Sequence, residues 1–406
     1  MEPPGVRRRL AEAEPGSTGK SVPPYIRRGD PLLPKPIDRF HHLARRALFA
    51  AALAAVALLG PAGGTPSASA QQFRGVWVNA WGKGIKTPEQ VDQLVKLAAE
   101  GGLNAILVQV RKRADAYYNS SLEPKAQEIA PEFDPLACVI EKAHAKGIQV
   151  HAWFVVYPAA SASQAALPTG HVLLSHPDWV TANAKGIPMQ AGSGEGVYLD
   201  PGLPEVQDYI VSVARDLVSR YAVDGLHLDY IRYPGRNWGY NPESVRRFEE
   251  ETGHTPSGDP VDWDNWRRGQ VTQLVARIRN AISEARPGVK LSAAVFADQN
   301  DAFKNRLQDW GAWVRNGLVD FVVPMNYATS RALFASRSKA AYTRNPRASV
   351  FMGVGGGNKP SSTVLAQVRL LQALGVPGIV IYHYAGADEA FWRNLGSTVF
   401  RSAKGG

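Results

Sequence analysis

From residue 73 onward the chain alternates between short apolar, β-branched runs and longer stretches with helical spacing. The apolar runs are "FRGVWV" (73–78), "AILVQV" (105–110), "IQVHAWF" (148–154), "GLHLDY" (225–230), "KLSAAVFA" (290–297), "VDFVVPM" (319–325), "SVFMGV" (349–354) and "GIVIYHY" (378–384). Amphipathic stretches lie between them at 89–100, 134–146, 204–221, 265–285, 305–316, 330–341 and 362–374, with a last one near 388–400. Several runs follow a helix-stopping glycine, as in "EGGLNAILV" and "AKGIQVHAW". Eight strands, each followed by a helix, predict one (β/α)8 TIM barrel with long βα loops over residues 71–406. The rival, an open doubly wound sheet, would carry a Gly-rich phosphate loop after its first strand, and none follows "FRGVWV".

Alternation within the fourth run predicts which residues face the barrel interior. Leu226, Leu228 and Tyr230 share the helix-packing face, while His227 and Asp229 point inward. Asp229 is the last inward position, at the carboxyl-terminal mouth where barrel enzymes hold their chemistry. Packing against helices gives no reason for a carboxylate there. The same parity places Asn79, Gln109, Arg111, His151, Trp153, Asn326, Tyr327, His383 and Tyr384 around the mouth, with Asp298 after the fifth strand. Loops add Asp115, Asp200, Arg232 and Tyr233. About 45 residues separate the third strand from the helix near Pro204, against the usual 2–6. That loop carries His176, Trp179, Tyr198 and Asp200 and is expected to wall the cleft. Arg232 is expected to orient a carboxylate near it, Asp200 or Asp229.

The chain ahead of the barrel reads differently. Residues 41–70 combine a basic start, the apolar run "ALFAAALAAVALLG" and a small-residue close at "SASA", the layout of an export signal or an N-terminal anchor. Cleavage after Ala70 would leave Gln71 as the mature N-terminus. Residues 1–40 form a basic, Pro-rich extension with no apolar periodicity, expected to be disordered. The first 70 residues hold ten Lys/Arg and five Asp/Glu, so they carry half of the net charge of +10. The remainder is mildly basic and has no Lys/Arg run, which argues against nucleic acid as a partner. Membrane contact is expected only if the N-terminal segment stays uncleaved. The single cysteine, Cys138, excludes an internal disulfide and sits on an apolar helix face. His151, His227 and His383 lack HxH or HExxH spacing, so no metal site and no cofactor are expected.

Carboxylates beside Trp and Tyr rings suit a sugar, whose faces stack on aromatic rings while its hydroxyls take hydrogen bonds. Glycosidic cleavage needs an acid for the leaving oxygen and a second group for the oxocarbenium-like centre. Asp229 is the first carboxylate to assign.

The motifs "FRGVWV", "QVR…ADAYYNS", "HPDWV…YLDPGLPEVQDYI", "VDGLHLDYIRYP" and "VDFVVPMNY" resemble those of glycosyl-hydrolase-like family 10, exported bacterial (β/α)8 barrels, over about residues 72–385. The resemblance implies a glycoside hydrolase acting on cell-wall, peptidoglycan-type glycan strands. It matches Asp229 to the family's strand-four acid, and Asp115, Asp200, Arg232 and Tyr327 to its other pocket positions. "PMNYA" is also similar to the Met-x-Tyr of chitinase-type barrels, but their Asp-x-Asp-x-Glu is absent from strand four. The second catalytic group is therefore open among Asp298, Asp200 and a substrate acetamide. A carbohydrate-binding pseudoenzyme and a sugar deacetylase are the alternative readings.

Overall fold

The computed structural model describes residues 71–161, 167–192, 194–357 and 359–400. The basic extension and the export-signal segment lie outside the described residues. Eight parallel strands close into a barrel: β1 (Phe73–Val78), β2 (Ala105–Arg111), β3 (Gln149–Val155), β6 (Gly225–Asp229), β7 (Lys290–Phe296), β8 (Phe321–Asn326), β9 (Met352–Gly355) and β10 (Gly378–Tyr382). All eight coincide with the apolar runs of the sequence, to within one to three residues at each end. A two-stranded antiparallel pair, β4 (Pro158–Ala160) with β5 (Val197–Tyr198), folds the long third loop back on itself. Among the described residues no helix is long and apolar enough to cross a membrane.

Helices form where the chain supplies a cap and an apolar stripe. Thr87 and Asp134 cap α1 (Pro88–Glu100) and α2 (Pro135–His144), each with proline just inside the start, where its missing N–H costs nothing. Cys138, on α2, is partly buried against the core. After the single turn α3 (Val172–Ser175) comes α4 (Pro204–Arg220), which packs beside the longest helix. The segment after β6 holds two helices, α5 (Pro242–Thr252) and α6 (Pro260–Ala285). The sequence pattern shows only the second, because α5 is mostly charged and buries only Ser244 and Phe248. A further short helix, α7 (Gln299–Asn305), precedes α8 (Trp310–Arg315); the sequence pattern at 305–316 shows only the second. The last three helices are α9 (Arg331–Arg344), α10 (Ser361–Ala373) and α11 (Glu389–Thr398).

Inside the barrel the side chains stack in layers. The lowest is aromatic: Phe73, Phe321 and Phe351 pack with His151, at centroid distances from 4.1 to 6.0 Å. Two glycines make room for it. A Cβ at Gly225 would lie 2.1 Å from the His151 ring, and one at Gly378 would lie 2.3 Å from Phe351. Above this layer, Trp77 donates its indole N–H to His227 Nε2 at 3.0 Å, and His227 Nδ1 meets Ser292 Oγ at 2.8 Å. Parallel register puts His227 level with both Trp153 and Ser292. Burial holds His227 neutral, well below the usual imidazole range. It supports the floor of the site above and does not reach the cavity.

Candidate active site

The barrel mouth holds a cavity of about 350 Å³. Its floor and walls are Trp77, Trp153, Tyr327 and Tyr382 from strand ends, with Trp81, Tyr230 and Phe296 on the rim. Asp229, Glu195, Arg232 and Gln109 supply its charged and amide groups.

Asp229 closes β6 on the inward face, as the alternation of that strand predicts. One carboxylate oxygen accepts the Trp153 indole N–H at 3.1 Å, and the other accepts the Tyr230 backbone N–H at 2.7 Å. Tyr230 takes a positive φ of 52°, a region costly for a bulky residue. That turn aims its N–H at Asp229 and its ring at the cavity. Asp229 is 7% exposed, and burial pushes its carboxyl up to about 6.

Glu195 is the second carboxylate of this cavity, and the sequence reading missed it. It sits between two glycines in the long third loop, just before β5. Burial works to raise it, but Arg232, 3.0 Å away, and the Tyr198 hydroxyl, donating at 2.5 Å, hold it below the usual glutamate range. Arg232 itself is 5% exposed and lies between the Tyr230 and Phe296 rings, at 4.8 and 5.1 Å from their centroids. The carboxylate that Arg232 orients is thus Glu195, neither Asp200 nor Asp229.

Several expected site residues lie elsewhere. Asp298 is the N-cap of α7, accepting from the backbone of Asn300 and Asp301, and is no part of the cavity. Asp200 is fully buried and ties the third loop to α5, accepting from Thr181, Ser244 and the Gly202 backbone at 2.7–2.9 Å. Arg111 forms a buried ion pair with Glu123 at 2.8 Å and holds the carbonyl of Val156. Tyr233 is buried under Arg267. His151 belongs to the bottom layer, where burial lowers it to about 4. Asn326 faces outward and donates to Phe334 and Ser338 of α9. His383 and Tyr384 follow the end of β10; the residue that reaches the cavity is Tyr382, missed because the strand stops earlier than its apolar run. Asn79 accepts from Gly82 and hydrogen-bonds the cavity-lining Tyr382, and Gln109 accepts from Ala80 while lining the cavity. Asp115 and Trp81 line a neighbouring hollow with Arg113. Gln109, Trp153, Asp229, Arg232 and Tyr327 are therefore the expected residues that the fold brings together. Among the described residues no group of three or more His, Cys, Asp or Glu side chains is placed to hold a metal ion.

This is a (β/α)8 barrel with carboxylates set among aromatic rings at the carboxyl-terminal mouth, the architecture of carbohydrate-active barrels. The chain belongs to the glycosyl hydrolase-like 10 family, whose model matches residues 72–354. It is 29% identical over 292 residues to the glycosyl hydrolase YngK of Bacillus subtilis (strain 168), covering 64% of this chain and 54% of that protein. It is 27% identical over 325 residues to the glycosyl hydrolase DigH of Escherichia coli (strain K12), covering 66% of this chain and 69% of that protein. The chain thus spans about half the length of YngK. The fold is shared with the glycoside hydrolase domain of PgaB (BpsB) from Bordetella bronchiseptica, at a TM-score of 0.65 and 16% identity over 80% of this chain and 98% of that one. It is shared also with α-L-fucosidase isoenzyme 2 from Paenibacillus thiaminolyticus, at a TM-score of 0.60 and 17% identity over 80% of this chain and 48% of that one.

Proposed function

We propose that the protein is a glycoside hydrolase that cleaves cell-wall glycan strands of the peptidoglycan type, with Asp229 as general acid and Glu195 as its ionised partner. One observation carries this reading. Two carboxylates facing one cavity are displaced in opposite directions, Asp229 up to about 6 and Glu195 down. Such a pair assigns its own roles. Asp229 holds a proton for the departing glycosidic oxygen. Glu195 carries the negative charge that meets the oxocarbenium-like centre, by attack on the anomeric carbon or by taking a proton from water. Arg232 keeps Glu195 ionised and in place. Trp81, 54% exposed at the rim, and the Tyr327–Tyr382 stack offer flat faces for sugar rings.

The cell-wall substrate rests on the family resemblance of the motifs, while the names of the relatives support glycoside hydrolysis. The export-signal pattern of residues 41–70 supports action in the periplasm or outside the cell. Product analysis on purified, peptide-free glycan strands tests the proposal. Released saccharides support it; binding without products would mark a pseudoenzyme, and released acetate a deacetylase.

A further inference from the structure

A second cavity, of about 510 Å³, opens beside the mouth between the segment following β6, the start of α6 and the end of α7. Three guanidinium groups line it, from Arg236, Arg267 and Arg306, against a single carboxylate, Asp264. That carboxylate is shared: both Arg236 and Arg267 pair with it at 2.5 Å. Among the described residues Arg306 forms no ion pair; its side chain donates to the Pro234 carbonyl, and its charge acts on Glu195 only at longer range. The wall therefore carries two positive charges more than it balances. It is also short of acceptors. Arg267 Nε, Arg306 Nε and Trp263 Nε1, all on lining residues, are buried N–H groups with no acceptor.

Holding the loop does not account for this surplus. Arg267, 1% exposed, holds the loop by donating to the carbonyls of Arg236 and Trp238, and Arg306 adds one bond to the Pro234 carbonyl that leaves its Nε unpaired. Arg236 keeps a side chain 53% exposed. The basic cavity also adjoins the central one. The Arg306 guanidinium lies 4.6 Å from the centroid of the Phe296 ring, which lines the central cavity and lies 5.1 Å from Arg232.

We propose that this cavity is an oxyanion-binding subsite, recognising a carboxylate or phosphate carried by the glycan whose ring occupies the central cavity. The inference rests on the glycan reading above. A guanidinium presents paired N–H donors that match the two oxygens of such a group, and a partly dry, positively charged wall strengthens the contact. Arg306 and Arg236 are the recognising residues, and Arg267 positions the loop that carries Arg236.

The test uses the full chain, an Arg236→Gln variant and an Arg236→Gln/Arg306→Gln double variant. Inorganic phosphate and glucuronate are titrated separately by calorimetry. Wild type should bind one of them saturably, and which one it binds more tightly names the substituent. The double variant should bind at least roughly tenfold more weakly, the loss expected for charge-assisted bonds, with Arg236→Gln in between. Equal binding by all three proteins, or no saturable binding of either anion by wild type, overturns the proposal. A kinetic measurement separates it from the functional reading. On acidic glycan and the same glycan with its carboxyl groups reduced, the wild-type preference in KM for the acidic form should shrink about tenfold in the double variant. An unchanged preference would refute the subsite while leaving glycan cleavage intact. If neither form is cleaved by wild type, the functional reading fails, and the anion titration still decides the subsite.

Discussion

Arg232 pairs with Glu195 at 3.0 Å, joining the loop after the fourth barrel strand to the long loop after the third. The two residues are 37 positions apart, and each is the other's only ion-pair partner among the described residues. Through this contact the long loop delivers a carboxylate to a cavity otherwise built from strand ends. A guanidinium placed between two aromatic rings and an acid is not replaced by an ammonium. Arg232→Lys should therefore lower turnover nearly as far as Arg232→Ala, with both variants retaining the wild-type circular dichroism. Full activity of Arg232→Lys on the glycan would contradict the orienting role.

Asp229→Asn should retain the fold and lose turnover by about 10²–10⁴-fold, the usual contribution of a positioned acid. Glu195→Gln should lose a comparable factor, whereas Asp298→Asn should stay near wild type. Initial rates on peptide-free glycan strands measure all three. Near-normal turnover in Glu195→Gln would return the second role to the substrate acetamide.

The raised carboxyl of Asp229 sets a pH dependence with a defined sign. A general acid titrating at about 6 gives a rate that falls as pH rises through that value. Stability moves the same way: a carboxyl raised from 3.8 to about 6 favours the folded state below its unfolded value and loses that contribution as pH rises through 6. The full difference is on the order of 3 kcal/mol. Thermal melts at pH 4.5 and pH 8 should show a larger drop for wild type than for Asp229→Asn. Equal drops would show that the carboxyl is not displaced.

Asp200 and Asp298 should separate by stability and not by chemistry. Asp200→Ala leaves two buried hydroxyls and a backbone N–H without their acceptor, a cost on the order of 3 kcal/mol or more. Asp298→Ala removes an exposed helix cap, worth about 1 kcal/mol. Urea denaturation of the two variants checks the order.

Export predicts a mature chain beginning at or within a few residues of Gln71. N-terminal sequencing of protein recovered outside the cytoplasm tests it, and an intact chain confined to the cytosol would refute it.

The local pattern of the chain determined the barrel and, through strand alternation, the inward place of Asp229. Strand alternation is a two-residue period, so "GLHLD" by itself sends Leu226 and Leu228 to the helices and Asp229 to the mouth. The glycines at Gly225 and Gly378 acquire their role only in the fold, clearing space for the His151 and Phe351 rings of neighbouring strands. Where a strand ends is not local. β10 stops at Tyr382, so Tyr382 reaches the cavity while His383 and Tyr384 do not; Asn326 turns outward to α9, leaving the inward place to Tyr327. Polar residues posed the harder problem, because a buried carboxylate looks the same in sequence whether it staples a loop or faces a substrate. Asp200 found three donors in Thr181, Gly202 and Ser244 and became structural. Glu195, in a glycine-flanked stretch with no periodicity at all, became part of the site because a loop of some 45 residues carries it back to Arg232. Secondary-structure periods are set by neighbours in the chain, while the pairing of charges across loops is set by closure of the whole barrel.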